Sequence, residues 1–138
     1  TERERKAGNI TASEHYRLPS DHEWSCAVGI GDLEDASMLP GDKDQKLKNV
    51  FPWGNFWPPP FEAGNFGGEE MEPLVAAKKY KSVGSVMKGY RDAYPETSPA
   101  GSFAPNRFGL HDLSGNAYEW CEDWVDSQQQ QRVARGSA

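Results

Sequence analysis

The chain has 138 residues with 21 acidic and 15 basic side chains, so its formal net charge is −6. This length fits one domain at most, and the acidic balance argues against a nucleic-acid-binding surface, which would need a clustered basic face. No apolar run is long enough to span a membrane. The 14 Gly and 10 Pro predict much irregular backbone, while 5 Trp, 5 Tyr and 6 Phe supply bulk for a folded core.

The first residues favour two short elements. Thr1–Lys6 is charged, rich in helix formers and followed by Gly8, a pattern typical of the last turns of a helix. A frayed chain end is the alternative for the same residues. Tyr16–Pro19 is predicted to be extended, because the residue before a proline avoids the helical region.

A capping box begins the next element. Ser20 can accept a hydrogen bond from the Glu23 amide while the Glu23 side chain reaches back to Ser20. This pattern predicts a short helix from Asp21 to about Val28, ended by Gly29 and Gly31. Three apolar residues at helical spacing are expected to face the core: Trp24, Ala27 and Val28.

Two side chains of this helix carry chemistry. We interpret His22 as a surface residue and Cys26 as a small buried apolar group rather than a nucleophile. Cys121 is the only other cysteine, and two cysteines do not make a disulfide scaffold. The sequence offers no Ser-His-Asp constellation, so no residue is assigned as a catalyst.

The segment from Gly29 to Tyr80 lacks convincing periodicity. At its centre, Phe51–Phe61 mixes aromatic residues with prolines, which excludes a helix interior or a central strand. We predict a rigid hydrophobic plug there, with a polyproline recognition element as the alternative. A loose acidic patch is interpreted as a solvated loop: Asp32, Glu34, Asp35, Asp42 and Asp44.

The second half contains only short predicted elements. Tyr80–Val86 is a candidate strand or edge segment, and Gly89–Pro95 a turn-rich connector. Ala100–Phe103 is predicted to be extended. Gln128–Gln131 is a polar loop, and Arg132–Arg135 begins a further strand.

The chain is organised around the stretch from Asn106 to Trp124. Asp112, Asn116 and Glu119 lie within eight residues of one another, with Gly115 between them. Oxygen-rich spacing around a glycine is what a hard cation such as calcium requires, although it does not fit an EF-hand. The alternative is a surface turn whose Asp and Asn side chains cap their own backbone. From Ala117 onward, β-prone apolar residues predict a core strand: Tyr118, Trp120 and Trp124.

Five stretches occur in the order found in one known family. They resemble its helix start Y-R-L-P-T-E-A-E-W, its P-W-G turn, and its G-S-F-P-P-N-x-F-G-L, G-N-V-W-E-W-C-x-D-W and R-V-L-R-G-G-S-W motifs. In this chain they are Tyr16–Trp24, Phe51–Gly54, Gly101–Leu110, Gly115–Trp124 and Arg132–Gly136. The chain therefore resembles the formylglycine-generating enzyme family, also called sulfatase-modifying factors.

The resemblance implies an α+β, C-type-lectin-like fold with little regular secondary structure. Residues 1–138 would form a single domain of this type, incomplete at the C-terminus and also at the N-terminus. Family enzymes oxidise a sulfatase cysteine to formylglycine with oxygen and a copper ion held by two cysteines. Other members are non-catalytic ligand-binding proteins, kinase-attached domains or modules of sulfoxide-forming enzymes.

The resemblance also implies two calcium sites. The first would use the side chains of Asp112 and Glu119 and the carbonyls of Gly115 and Ala117. The second would use Asn65, the carbonyls of Phe66 and Tyr90, and an acidic side chain where this chain has Lys88. An ammonium is the wrong charge for a cation ligand, so either Lys88 replaces the metal or Asp92 takes over.

The family's catalytic cysteines lie beyond the last shared motif, and neither Cys26 nor Cys121 falls at a copper-binding position. We therefore interpret the chain as a non-catalytic module that binds a protein or peptide ligand, with calcium as its structural ion. The alternative is a formylglycine-generating or related oxidase, with its copper ligands in a further C-terminal segment.

Overall fold

A computed structural model describes residues 1–43, 48–79 and 85–136. Short helices and one small sheet are joined by long loops, so the architecture is mixed α and β with little regular structure. The elements are α1 Glu2–Lys6, α2 Asp21–Val28, α3 Pro40–Lys43, α4 Glu72–Ala76, β1 Glu119–Trp124 and β2 Arg132–Arg135. Short 3-10 turns span Gly31–Leu33 and Glu69–Met71. No helix in the described ranges is long and apolar enough to cross a membrane.

The capping box of α2 is confirmed. The Glu23 amide donates to Ser20 Oγ at 3.1 Å, and the Ser20 amide donates to Glu23 Oε2 at 2.8 Å. Arg17 adds two hydrogen bonds to the Glu23 carboxylate, at 2.6 and 2.7 Å. Gly29 ends the helix in the left-handed conformation, with φ of 91°. The predicted bounds of this helix are therefore correct at both ends.

The sheet and α2 share the core. Strand β1 pairs antiparallel with β2, and the register shifts between Trp120 and Trp124. The core cluster consists of Trp24, Val28, Cys121 and Val133. Around it pack Ile30, Leu113 and Val125. The prediction of strands after the Asp112 turn and at Arg132–Arg135 is confirmed, as is the burial of Trp24 and Val28.

Several predictions about burial were wrong. Cys26 is exposed rather than buried, because it lies on the α2 face that turns away from the sheet. Tyr118 and Trp120 are also exposed, since only one side of the two-stranded sheet is covered by α2. Glu34 is not solvated as Asp32, Asp35 and Asp42 are, because Lys43 pairs with it in the interior. Asp44 of the same predicted patch lies outside the described residues.

The prediction of a hydrophobic plug at Phe51–Phe61 holds for only part of the segment. Phe51 and Trp53 stack with ring centroids 5.0 Å apart, and Trp53 meets Phe66 edge-on at 5.3 Å. Other rings of the segment are exposed, namely Phe56, Trp57 and Phe61. Of the candidate strand at Tyr80–Val86, residues 80–84 lie outside the described ranges, and Ser85 and Val86 are not in a strand.

Candidate metal site

The turn between Asp112 and Glu119 is shaped by close backbone contacts. Asp112 and Asn116 adopt positive φ values of 60° and 72°, which Asp and Asn tolerate better than most residues. A Cβ on Gly115 would lie 2.3 Å from the Asn65 carbonyl oxygen. The neighbouring Asn116 amide donates to that same oxygen at 2.8 Å. Gly115 is therefore required because the loop carrying Asn65 crosses the turn directly.

Oxygen atoms converge beside Gly136, just after β2. A Cβ on Gly136 would lie 2.5 Å from Glu119 Oε2 and 3.2 Å from the carbonyl oxygens of Ala117 and Leu113. Two of the four predicted ligands are thus brought to one place. The Leu113 carbonyl was not predicted, because a backbone carbonyl occurs at every residue and carries no sequence signal.

Asp112 contributes an unsatisfied oxygen. Its Oδ2 accepts a hydrogen bond from the Gly101 amide at 2.7 Å. Its Oδ1 is buried and has no hydrogen-bond partner among the residues that the structure describes. A buried carboxylate oxygen without a partner is costly, and a nearby cation would offset that cost. The fourth predicted ligand, the Gly115 carbonyl, accepts the Ala117 amide at 2.9 Å and keeps one lone pair for another donor.

The electrostatics of Glu119 agree with this picture. Burial, with a smaller contribution from the charge of Asp112, raises the pKa of Glu119 to about 7, although a hydrogen bond from Trp24 Nε1 opposes the shift. Glu119 Oε2, the carbonyl oxygens of Ala117 and Leu113, and the buried Oδ1 of Asp112 are all hard oxygen donors. Such a set fits calcium and does not fit copper, which prefers sulfur and imidazole ligands.

The residues of the predicted second site are also close in space. Asn65 Nδ2 donates to the Glu96 carbonyl at 2.6 Å, the Phe66 carbonyl accepts from Gly68 at 2.7 Å, and the Tyr90 carbonyl accepts from Glu69 at 3.0 Å. The Phe66 and Tyr90 carbonyl oxygens therefore already accept hydrogen bonds, whereas the bond of the Asn65 side chain is made by its amide nitrogen. The Asn65 backbone also contacts the first site through Asn116, so the two turns support each other.

The acidic ligand of this second site is not supplied as predicted. Lys88 is exposed and pairs with Glu72 on the surface. Asp92 uses both oxygens on backbone amides, accepting from Phe66 at 2.7 Å and from Tyr94 at 2.8 Å. Glu70 instead lies close by: a Cβ on Gly68 would be 2.5 Å from Glu70 Oε1 and 2.8 Å from the Tyr90 carbonyl oxygen.

Glu70 was missed by sequence reasoning. Its Oε1 is buried without a hydrogen-bond partner in the part of the chain that the structure describes. The only available signal is the acidic pair Glu69–Glu70 after two glycines, which indicates a turn as readily as a ligand.

An aromatic cavity opens between the Pro-Trp-Gly segment and β2. Its volume is about 340 Å³, and its walls include Phe51, Trp53, Trp57, Phe66, Trp24 and Arg135. Arg135 Cζ lies 4.6 Å from the centre of the Trp24 ring, so a cation stacks on the aromatic wall. The cavity is thus mainly apolar with one charged edge, which is typical of ligand pockets.

The two cysteines occupy different environments, and neither forms a disulfide. Cys121 is completely buried in the core between α2 and the sheet. Burial raises the pKa of the Cys121 thiol to about 11, with a further contribution from the nearby Asp21 charge. Cys121 is therefore held as a neutral thiol, whereas Cys26 is exposed on α2.

Comparison with known proteins identifies the family of this chain. A family model described as a sulfatase-modifying factor enzyme 1-like domain matches residues 4–138. The chain belongs to this family. The formylglycine-generating enzyme of Thermomonospora curvata is 31% identical over 110 residues, which cover 78% of this chain and 27% of that relative.

Other members of the sulfatase-modifying factor family differ in their described activity. The mouse protein named inactive C-alpha-formylglycine-generating enzyme 2 is 29% identical over 136 residues, or 96% of this chain and 34% of the relative. A serine/threonine-protein kinase pkn1 of Chlamydia pneumoniae is 39% identical over 51 residues, or 36% of this chain and 8% of the kinase. The chain spans about a third or less of each of these relatives.

Proposed function

We propose that this chain is a calcium-stabilised binding module on a C-type-lectin-like, sulfatase-modifying-factor scaffold, and that it does not itself generate formylglycine. The observation that carries the proposal is the separation of its two thiols. Cys121 is buried in the core, where the pKa of its thiol is raised, while Cys26 lies on the exposed face of α2. Copper in its reduced state is coordinated by soft thiolate ligands, and a buried neutral thiol does not provide a thiolate.

The relatives are consistent with this proposal. The mouse relative whose name describes it as inactive matches almost the whole chain, so this stretch of sequence is compatible with a non-catalytic member. The proposed role of calcium is structural. Asp112, Gly115, Ala117 and Glu119 would hold the ion, which would neutralise the two carboxylates and fix the turn against β2.

The aromatic cavity is the proposed contact for a protein or peptide partner. Trp57, at its edge, is 58% exposed, and aromatic residues together with Arg are enriched among the side chains that dominate binding energy. Arg135, which also lines the cavity, favours a ligand that carries an acidic group beside an apolar one.

The catalytic half of the proposal is tested with a sulfatase-type peptide containing the Cys-x-Pro-x-Arg pattern. The chain is incubated with the peptide, copper, oxygen and a thiol reductant, and the peptide aldehyde is measured by mass spectrometry. We expect no aldehyde above the protein-free control. Aldehyde that disappears in Cys26→Ser or Cys121→Ser would show that this chain is an enzyme.

The binding half is tested by selecting peptides from a random library on the immobilised chain. The affinity of the selected peptides is then compared between the unmodified chain, Trp57→Ala and Trp120→Ala. Both tryptophans are exposed, at 58% and 61%, but only Trp57 lines the aromatic cavity. We expect Trp57→Ala to weaken binding about tenfold or more, and Trp120→Ala to leave it unchanged. Equal losses of affinity in both variants would show that the peptides bind outside the aromatic cavity.

A further inference from the structure

Cys26, His22 and Glu34 form a chain of contacts away from the candidate metal site. His22 and Cys26 are four residues apart on α2 and therefore share one face of the helix. Cys26 Sγ lies 3.6 Å from His22 Nε2, and His22 Nδ1 lies 2.7 Å from Glu34 Oε1. A nucleophile, a base and a group that orients the base are thus in hydrogen-bond contact in that order.

Glu34 fixes the orientation of the imidazole. Its carboxylate is buried, and it accepts hydrogen bonds from Ser25 Oγ at 3.0 Å and from Lys43 Nζ at 2.9 Å. Burial acts to raise the pKa of Glu34, but the hydrogen bonds from Lys43, His22 and Ser25 outweigh it, so the pKa is lowered. An ionised carboxylate only accepts hydrogen bonds, so Nδ1 of His22 must donate to it. Nε2 then faces the thiol.

A buried ionic network holds Glu34 itself in place. Lys43 Nζ also contacts Asp21 Oδ2 at 2.9 Å, and Asp21 Oδ1 lies 3.4 Å from Arg135 Nη1. Arg135 Nη2 donates to Ser25 Oγ at 3.0 Å, which closes the network back onto Glu34. The positions of these charged side chains from α2, α3 and β2 are therefore mutually dependent, as preorganisation of a site requires.

The backbone at Gly31 lies close to the Cys26 sulfur. A Cβ on Gly31 would lie 2.4 Å from Cys26 Sγ, so any larger residue there would displace the sulfur. Cys26 nevertheless remains exposed to solvent. Cys26 is therefore exposed to solvent, while its sulfur lies close both to a backbone that only glycine permits and to Nε2 of His22.

We propose that Cys26 is a modification site that reacts with small disulfides, with His22 as its base and Glu34 as the residue that positions His22. In this exchange, Nε2 of His22 takes the proton from Sγ, and the thiolate attacks one sulfur of the disulfide. The old S–S bond breaks as the new one forms. The departing thiolate takes the proton from His22, so a protein thiol and a disulfide become a mixed disulfide and a small thiol.

The expected rate advantage follows from thiol ionisation. An ordinary cysteine thiol is only about 3% ionised at pH 7, so complete deprotonation gains at most about 30-fold. The lower nucleophilicity of a more acidic thiolate reduces this gain to about threefold. Cys26 in the folded chain should therefore react about threefold faster than the same cysteine in the chain unfolded by urea.

The test uses hydroxyethyl disulfide, an uncharged probe, at pH 7, with mixed-disulfide formation followed by mass spectrometry. The folded chain should form one adduct, which Cys26→Ser abolishes, while the buried Cys121 reacts only after unfolding. His22→Gln should lower the folded-state rate about threefold, to that of the unfolded chain. An unchanged rate in His22→Gln, or equal rates in the folded and unfolded chain, would overturn the proposal.

The positioning role of Glu34 is tested by a pH profile, because a merely structural role would not change its shape. The unmodified chain should react at a rate that varies little near neutral pH. In Glu34→Gln and His22→Gln the rate should rise about tenfold per pH unit, as for an unassisted thiol. Retention of the unmodified chain's profile in a folded Glu34→Gln variant would exclude this role. Because Glu34→Gln also removes a partner of Lys43, its melting temperature is measured, and the half-buried His22→Gln decides the outcome if Glu34→Gln is unfolded.

Discussion

Replacing Gly115 by alanine should destabilise the chain through one defined contact. The new Cβ would lie 2.3 Å from the Asn65 carbonyl oxygen, about 1 Å inside the closest tolerable separation. The loop carrying Asn65 must therefore retreat, which costs about 1–3 kcal/mol for an overpacked interior site. The same movement weakens the hydrogen bond from the Asn116 amide to that oxygen, 2.8 Å long, worth about 1 kcal/mol.

The combined loss is about 2–4 kcal/mol, which lowers the melting temperature of a domain of this size by about 8–16 °C. Thermal unfolding followed by circular dichroism measures it directly. Gly67→Ala is the matched control, because its Cβ would meet only Met71 Sδ, at 3.4 Å, and no positive φ is required there. A Gly115→Ala variant that melts within 2 °C of Gly67→Ala, a difference of roughly 0.5 kcal/mol, would refute the reasoning.

Two further predictions concern single charges. The Arg17 guanidinium and the Ser20 amide lower the pKa of Glu23 to about 2. The stability that this carboxylate contributes is therefore fully present above its ordinary pKa. It is lost as the pH falls from about 4 to about 2. Urea unfolding should show the free-energy difference between the unmodified chain and Glu23→Gln shrinking over that window; a constant difference from pH 5 to pH 2 would contradict it. At the second predicted site, calorimetry should detect no calcium bound near Asn65 and Tyr90 in the unmodified chain, because Asp92 already accepts two backbone amides and Lys88 pairs with Glu72 on the surface, while Lys88→Asp should add one binding event. Two calcium ions bound by the unmodified chain would show that Glu70 or another oxygen already serves as the missing ligand.

Local patterns in the sequence predicted the local structure. The bounds of α2 follow from Ser20, Glu23 and Gly29, all within ten residues, and β2 begins at Arg132, where the sequence predicted a strand to start. The order of five motifs was enough to predict the family. The bounds of the elements depend on contacts between near neighbours in the chain. The family depends only on the order of motifs along the sequence.

Contacts between distant loops were not predictable in the same way. Asn65 meets Asn116 across 51 residues, and Lys43 reaches Asp21 and Glu34 from a helix of only four residues. The exposed position of Cys26 depends on which face of α2 packs on the sheet. Composition placed Glu34 in a solvated acidic patch, because a sequence does not show which one of several acidic residues will find a buried lysine.

The calcium site is tested most directly by thermal unfolding with calcium and with a chelator. The unmodified chain should melt at a higher temperature in calcium, by an amount that grows with calcium concentration, because the ion binds the folded state. Glu119→Ala removes a charged ligand beside the Ala117 carbonyl, so it should melt at the same temperature in both buffers. Equal melting temperatures of the unmodified chain in calcium and in chelator would contradict the account.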